Sequence, residues 1–170
     1  MGRFGGPGHS VPHAAEQELR HIDLSATPGH LLRRCQQRAY EIFNEVLGGH
    51  GLTQRQTALL LQLSRQPGAS LQELTDTTGT DRNTLGDVAA RLVRRGLIRR
   101  RRAKDDARAY DLRITAAGEK LLEDMAAGLA EVQRRILEPV PKKERAVFIR
   151  HAQLIAGFPD QGIALPRARK

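Results

Sequence analysis

The sequence predicts a mainly α-helical fold carrying one small β-hairpin, and three observations predict it. Leucine and alanine, 22 and 21 of 170 residues, dominate against no Trp, 2 Tyr and 4 Phe. That balance favours helices over a β-sandwich. Six stretches bounded by cap and stop signals read as helices. The segment Tyr110-Asp111-Leu112-Arg113-Ile114 alternates polar and apolar residues like a half-buried strand.

The first helix starts near Pro28 and stops at Gly48-Gly49. Leu31, Cys35, Ile42 and Val46 share one face, with Leu32, Ala39 and Phe43 beside them. This stripe is wider than packing on a single neighbour requires. The second helix follows Thr53, whose Thr-Gln-Arg-Gln start fits a capping box, and Pro67-Gly68 stops it. A short third helix opens with Ser70-Leu71-Gln72-Glu73, another capping box, and ends at Gly79.

The fourth helix starts at Thr80-Asp81, its acid favourably placed against the helix dipole, and Gly96 caps its end. Leu85, Val88, Ala89 and Leu92 form its buried face. Asn83, Asp87, Ala90 and Arg94 form the opposite one, flanked by Thr84 and Arg91. Leu97-Ile98-Arg99 and Tyr110 to Ile114 then make a hairpin with its tip around Lys104 to Ala107. Thr115 caps a long helix reaching Glu138, just before Pro139. Its Leu122, Met125, Leu129, Val132 and Ile136 repeat as a heptad seam suited to a partner helix. A last helix covers about Lys142 to Ala156 and presents Val147, Leu154 and Ile155.

The ends differ from this body. Glycines and prolines interrupt residues 1–26, where a disordered tail is expected, and residues 157–170 read as a flexible basic tail. The single Cys35 excludes an intramolecular disulfide and a multi-cysteine zinc site. No run approaches a membrane span and no apolar leader precedes the body, so a soluble, cytoplasmic protein with no membrane partner is expected. The six histidines are scattered, and no HExxH, phosphate-binding glycine loop or nucleophile elbow occurs. We therefore expect no catalytic residues, no metal and no cofactor.

Charge points to nucleic acid. With 28 Lys+Arg against 19 Asp+Glu, the formal charge is +9 and the pI about 10.7; 23 of the basic residues are Arg. Arginine suits forked contacts with phosphates and guanine edges. Residues 91–113 alone hold ten basic groups and three acids, a net +7. Helix, short helix, helix and basic hairpin is the order of a winged helix-turn-helix. In that arrangement the fourth helix lies in a DNA major groove, and the hairpin places an arginine in the minor groove. Thr80, Arg82, Asn83, Thr84, Asp87 and Arg91 at and along the helix, with Arg100 and Arg102 on the hairpin, are the candidate DNA contacts. Consecutive strand arginines alternate faces, so at most half of Arg99 to Arg102 meet DNA together.

The run Leu52-Thr53, Gly79 to Thr84 and Arg91 to Arg99 resembles the MarR family of bacterial transcription regulators. The wing segment Asp105 to Tyr110 followed by Leu112 to Gly118 resembles it too. The likeness covers about residues 28–156. It implies a homodimer formed by residues 27–49 and 116–156, with residues 50–115 as the DNA-binding lobe. It also implies a pseudo-palindromic double-stranded operator and repression relieved by a small ligand. Under it, Arg108 is the minor-groove arginine and Asp106 orients it; the alternative is a solvated turn-tip ion pair. Asn83 either contacts a base or is an ordinary polar residue of a first helical turn.

The first helix, from Pro28 to Gln37, resembles that of family members controlling aromatic-acid breakdown. That likeness implies an anionic effector, an aromatic acid or its coenzyme A thioester, near His30, Arg34, Cys35 and Arg38. The alternative for the arginines is pairing on the helix surface, with Arg38 one turn from Glu41. Cys35 is expected in the core or lining the pocket; a redox-sensing role is the alternative. Two rival functions remain at this stage, a sequence-indifferent basic nucleoid protein and an enzyme with an accessory winged helix. The second lacks a catalytic constellation.

Overall fold

In the computed structural model, which describes residues 23–102 and 110–159, eight regular elements follow one another. They are α1 (Pro28–Leu47), α2 (Gln54–Arg65), α3 (Leu71–Thr78), α4 (Arg82–Arg94), β1 (Ile98–Arg102), β2 (Tyr110–Ile114), α5 (Ala116–Ile136) and α6 (Arg145–Ile155). The expected helices and hairpin are all present. The tails beyond these bounds and the hairpin tip, including Asp106 and Arg108, lie outside the described residues.

Local signals set the starts. Thr53 and Ser70 accept from the backbone N–H of Gln56 and Glu73, whose side chains accept the cap residues' own N–H groups. Both expected capping boxes are therefore formed. Gly79 ends α3 in the left-handed conformation, with φ 61°, that glycine adopts without penalty. Three ends depart from expectation by a few residues. A 3-10 turn continues α1 through His50. Helix α5 stops at Ile136 because Glu138, before Pro139, is biased away from helix, and Arg145 Nε clasps the following turn by donating to the Val140 carbonyl at 2.9 Å. The last helix begins only at Arg145, after a 3-10 turn over Lys142–Glu144.

The chain divides into two compact units, residues 1–38 and 39–170, with the boundary inside α1. In the first, Asp23 caps a short 3-10 turn by accepting from Ser25, and the turn leads into α1. The Ser25 hydroxyl and N–H together hold the Asp23 carboxyl below the usual carboxylate range. Leu31, Leu32 and Cys35 are exposed there.

The second unit contains the core. Ile42, Phe43 and Leu47 of α1, Leu59, Leu60 and Leu63 of α2, Leu74 of α3, and Leu85, Ala89 and Leu92 of α4 are buried together with Ile98 and Leu112 of the hairpin. The strands pair antiparallel, with Ile98 opposite Ile114 and Arg102 opposite Tyr110. The turn after α2 joins this hairpin, Gly68 N–H donating to the Leu112 carbonyl at 3.2 Å.

The heptad seam of α5 finds its partner inside the same chain. Met125 and Val132 are 0% and 2% exposed, and Leu129 and Ile136 pack against the core. The crossing with α1 is close at Gly128, where an added Cβ would stand 2.5 Å from Leu47 Cδ2. An ion pair from Arg135 to Glu45 ties the same two helices. Part of the seam suited to a partner helix is thus covered within its own chain: a heptad pattern defines a face, not the chain that covers it.

Candidate nucleic-acid interface

Helix α4 separates its two faces as its spacing requires. Leu85, Val88, Ala89 and Leu92 point into the core, whereas Arg82, Asn83, Asp87, Arg91 and Arg94 are exposed and Thr84 is half-buried. The helix N-terminus is already occupied by an acid. Asp81 accepts from the Thr84 N–H at 2.9 Å, and the Thr84 side chain and backbone together hold its carboxyl below the usual range. This cap is present at neutral pH and is lost as the pH falls through the lowered carboxylate value. Positive charge stands at both ends, Arg82 opening the helix and Arg91 and Arg94 in the last turn, where they suit the helix dipole. Thr80, half-buried before the cap, makes only a long contact to the Thr78 carbonyl, 3.4 Å.

The hairpin continues the basic surface. Arg99, Arg100 and Arg101 are exposed on β1, and the register sets Arg99 opposite Arg113 and Arg101 opposite Asp111. Arg100 shares the register position of buried Leu112, so Arg99 and Arg101 occupy the other face together. Arg102 is placed only by its strand position, opposite Tyr110.

Two of the ten basic groups counted toward this surface also make contacts within the chain. Arg113 is half-buried over the turn after α2, its Nη2 only 3.0 Å from where a Cβ on Gly68 would stand. Arg95, the residue after α4, donates from Nη1 to the Gly51 carbonyl at 2.6 Å. Charge counting along the sequence had no way to separate these two from their neighbours.

The end of α4 is also held from the side of α5. The Thr115 hydroxyl donates to the Gly96 carbonyl at 2.7 Å, and the Thr115 N–H donates to the Leu97 carbonyl at 3.1 Å. The hydroxyl also accepts the Gly118 N–H as the cap of α5. Gly118 is required by space: a Cβ there would stand 2.3 Å from the Leu97 carbonyl oxygen. That signal sits in the sequence as a glycine in a first helical turn, where periodicity alone gives it no role.

The expected effector residues lie along α1. His30 is half-buried, and Arg34, Cys35 and Arg38 are exposed. Cys35 is thus not a core residue of the single chain, which corrects the core half of the expectation and leaves pocket lining as a proposal. A stripe continuing through Leu31, Cys35, Ile42 and Val46 does not say which part of it is covered. Among the described residues, no group of three or more His, Cys, Asp or Glu side chains is placed to hold a metal, and no helix is long and apolar enough to cross a membrane.

Comparison with known proteins places this geometry. Residues 52–110, from the start of the lobe to the second strand, match the MarR family. The HTH-type transcriptional repressor NicR of Pseudomonas putida is 26% identical over 140 residues, 82% of this chain and 89% of NicR. The PcaV transcriptional regulator of Streptomyces coelicolor, solved with its natural ligand, is 33% identical. It superposes with a TM-score of 0.75 over 80% of this chain and 96% of its own. BpsR of Bordetella bronchiseptica, whose DNA binding is regulated by 6-hydroxynicotinic acid, is 26% identical. Its TM-score is 0.77 over 81% of this chain and 99% of BpsR. Helix α4 with its outward polar face, the basic hairpin beside it and these likenesses lead to one conclusion: the chain belongs to the MarR family and is a DNA-binding transcriptional regulator.

Proposed function

We propose that two copies of the chain bind a double-stranded, pseudo-palindromic operator as a repressor and are released by a small anionic aromatic ligand. The observation that carries the DNA half is α4, which buries one face completely and leaves Arg82, Asn83, Asp87 and Arg91 exposed on the other. In this reading, Asn83 and Arg82 reach base edges in the major groove, with Thr80, Thr84, Asp87 and Arg91 around them. Arg100 and Arg102 follow the backbone, and Arg108, oriented by Asp106, enters the minor groove. The two α4 helices stand one DNA turn, roughly 34 Å, apart.

Self-association is supported by what the single chain leaves uncovered. Leu31 and Leu32 in α1 and Val147, Phe148, Leu154 and Ile155 in α6 are exposed, Ile155 by 64%. Large apolar side chains exposed at this density mark interaction surfaces. The ligand half is supported by PcaV and BpsR. His30, Arg34, Cys35 and Arg38 are the groups proposed to meet its anionic end, an aromatic acid or a coenzyme A thioester. Such a ligand acts only if it binds the DNA-incompetent arrangement more tightly than the competent one.

The test is a gel-shift titration of the DNA upstream of this protein's own gene, with random duplex as competitor. A panel of aromatic acids and their coenzyme A thioesters is then added. Competitor-resistant binding released by one compound supports the proposal. Binding that random duplex abolishes, and that no compound alters, identifies a sequence-indifferent DNA-binding protein instead.

A further inference from the structure

We infer that Arg95 is a positioning residue of the DNA reader and not one of its phosphate contacts. It lies in the most basic stretch of the chain, beside Arg94 and four residues before Arg99. Arg95 is itself exposed, yet its Nη1 donates to the Gly51 carbonyl 44 residues away in sequence. The inference rests on the reading of α4 as the recognition helix.

Gly51 is a fixed point. It closes the 3-10 turn after α1 with φ 66°, its own N–H donates to Gly48, and buried Leu47 and Leu52 flank the corner. Arg95 is the residue at which α4 ends, its N–H still donating to the Arg91 carbonyl. The clasp therefore joins the last turn of α4 to the corner between α1 and α2. On the other side Thr115 holds Gly96 and Leu97. Between them these contacts define the pitch of α4 over the core, which its apolar side chains alone leave adjustable.

Base-edge hydrogen bonds tolerate displacements of only about half an ångström, whereas phosphate attraction tolerates far more. Loosening the clasp thus degrades discrimination between sequences before it degrades attraction to DNA. A phosphate contact behaves oppositely: its loss weakens binding on all sequences and lowers the salt dependence by about 0.9 per contact.

The experiment compares the full-length protein with Arg95→Met, similar in length but without a donor, well below the unfolding midpoint of each. The probes are a duplex enriched by the unsubstituted protein from a randomised library and a shuffled duplex of the same composition. The expected result is a fall of about three- to tenfold in the ratio of enriched to shuffled affinity, with the salt slope unchanged. A merely structural defect lowers the active fraction and leaves this ratio where it was. A fall in the salt slope, whatever the ratio does, overturns the inference, as does an unchanged ratio. Failure of the unsubstituted protein to enrich any sequence overturns both the inference and the reading of α4 on which it rests.

Discussion

The lobe between residues 50 and 115 and the helical ends of the chain dispose of apolar surface in opposite ways. In the lobe, α2, α3, α4 and the hairpin bury Leu59, Leu60, Leu63, Leu74, Leu85, Leu92 and Ile98 almost completely within one chain. Its helix starts are closed by capping boxes or by Asp81. At the ends, α1 before Arg38 and the whole of α6 leave leucine, valine, phenylalanine and isoleucine exposed. Helix α6 has no buried residue. The contrast separates what a single copy completes, a helix-and-hairpin surface, from the apolar surface that the proposed association of two copies would cover.

The sharpest way to break this contrast is to charge one of the open ends. Ile155→Asp should leave the fold intact, because Ile155 packs on nothing that buries it. It should cost at least about a hundredfold in operator affinity, since the avidity of a two-site complex is lost. Sedimentation velocity and a DNA titration on the same sample read both effects. A variant that stays associated would remove α6 from the interface.

The same charge in α5 should act differently. Leu129→Glu places a carboxylate against the lobe's own core. The expected loss is about 3–5 kcal/mol of folding stability rather than simple dissociation, measured by denaturant unfolding. Unchanged stability would return the α5 seam to the interface between copies.

Two glycines of α5 sharpen the comparison further. Alanine normally favours a helix over glycine by about 1 kcal/mol. Gly118→Ala should nonetheless destabilise by about 1–3 kcal/mol, because its Cβ meets the Leu97 backbone carbonyl, which cannot step aside. Gly128→Ala should cost less, because its Cβ meets the side chain of buried Leu47, which gives way only with some repacking. Thermal unfolding of the pair separates a backbone clash from a side-chain one. Thr53→Ala, which opens the capping box of α2, should cost about 1 kcal/mol.

Much of the lobe was legible in the sequence because its signals are local. Thr53, Ser70 and Thr115 announce their helices within four residues, and the faces of α4 follow from a 3.6-residue repeat. What escaped is long-range. The heptad of α5 could not say that Leu47 and Val46 of its own chain would cover it. The α1 stripe could not say that Ile42 and Phe43 are buried while Cys35 and Leu31 are not. Nor does a run of arginines disclose that Arg95 reaches Gly51 and Arg113 lies over Gly68. These facts depend on which segments meet, and periodicity carries no such information. Of the proposed DNA contacts in α4, Arg82, Asn83, Asp87 and Arg91 are exposed and Thr84 is half-buried, and Asp106 and Arg108 fall outside the described residues.

In the proposed complex, paired copies of α4 read a defined sequence from two successive turns of one DNA face. Hydroxyl-radical footprinting of the full-length protein on its enriched duplex tests this directly. Two protected patches centred about 10 base pairs apart, fixed in position as protein is added, are the predicted result. Protection that spreads evenly along the duplex with concentration would contradict it.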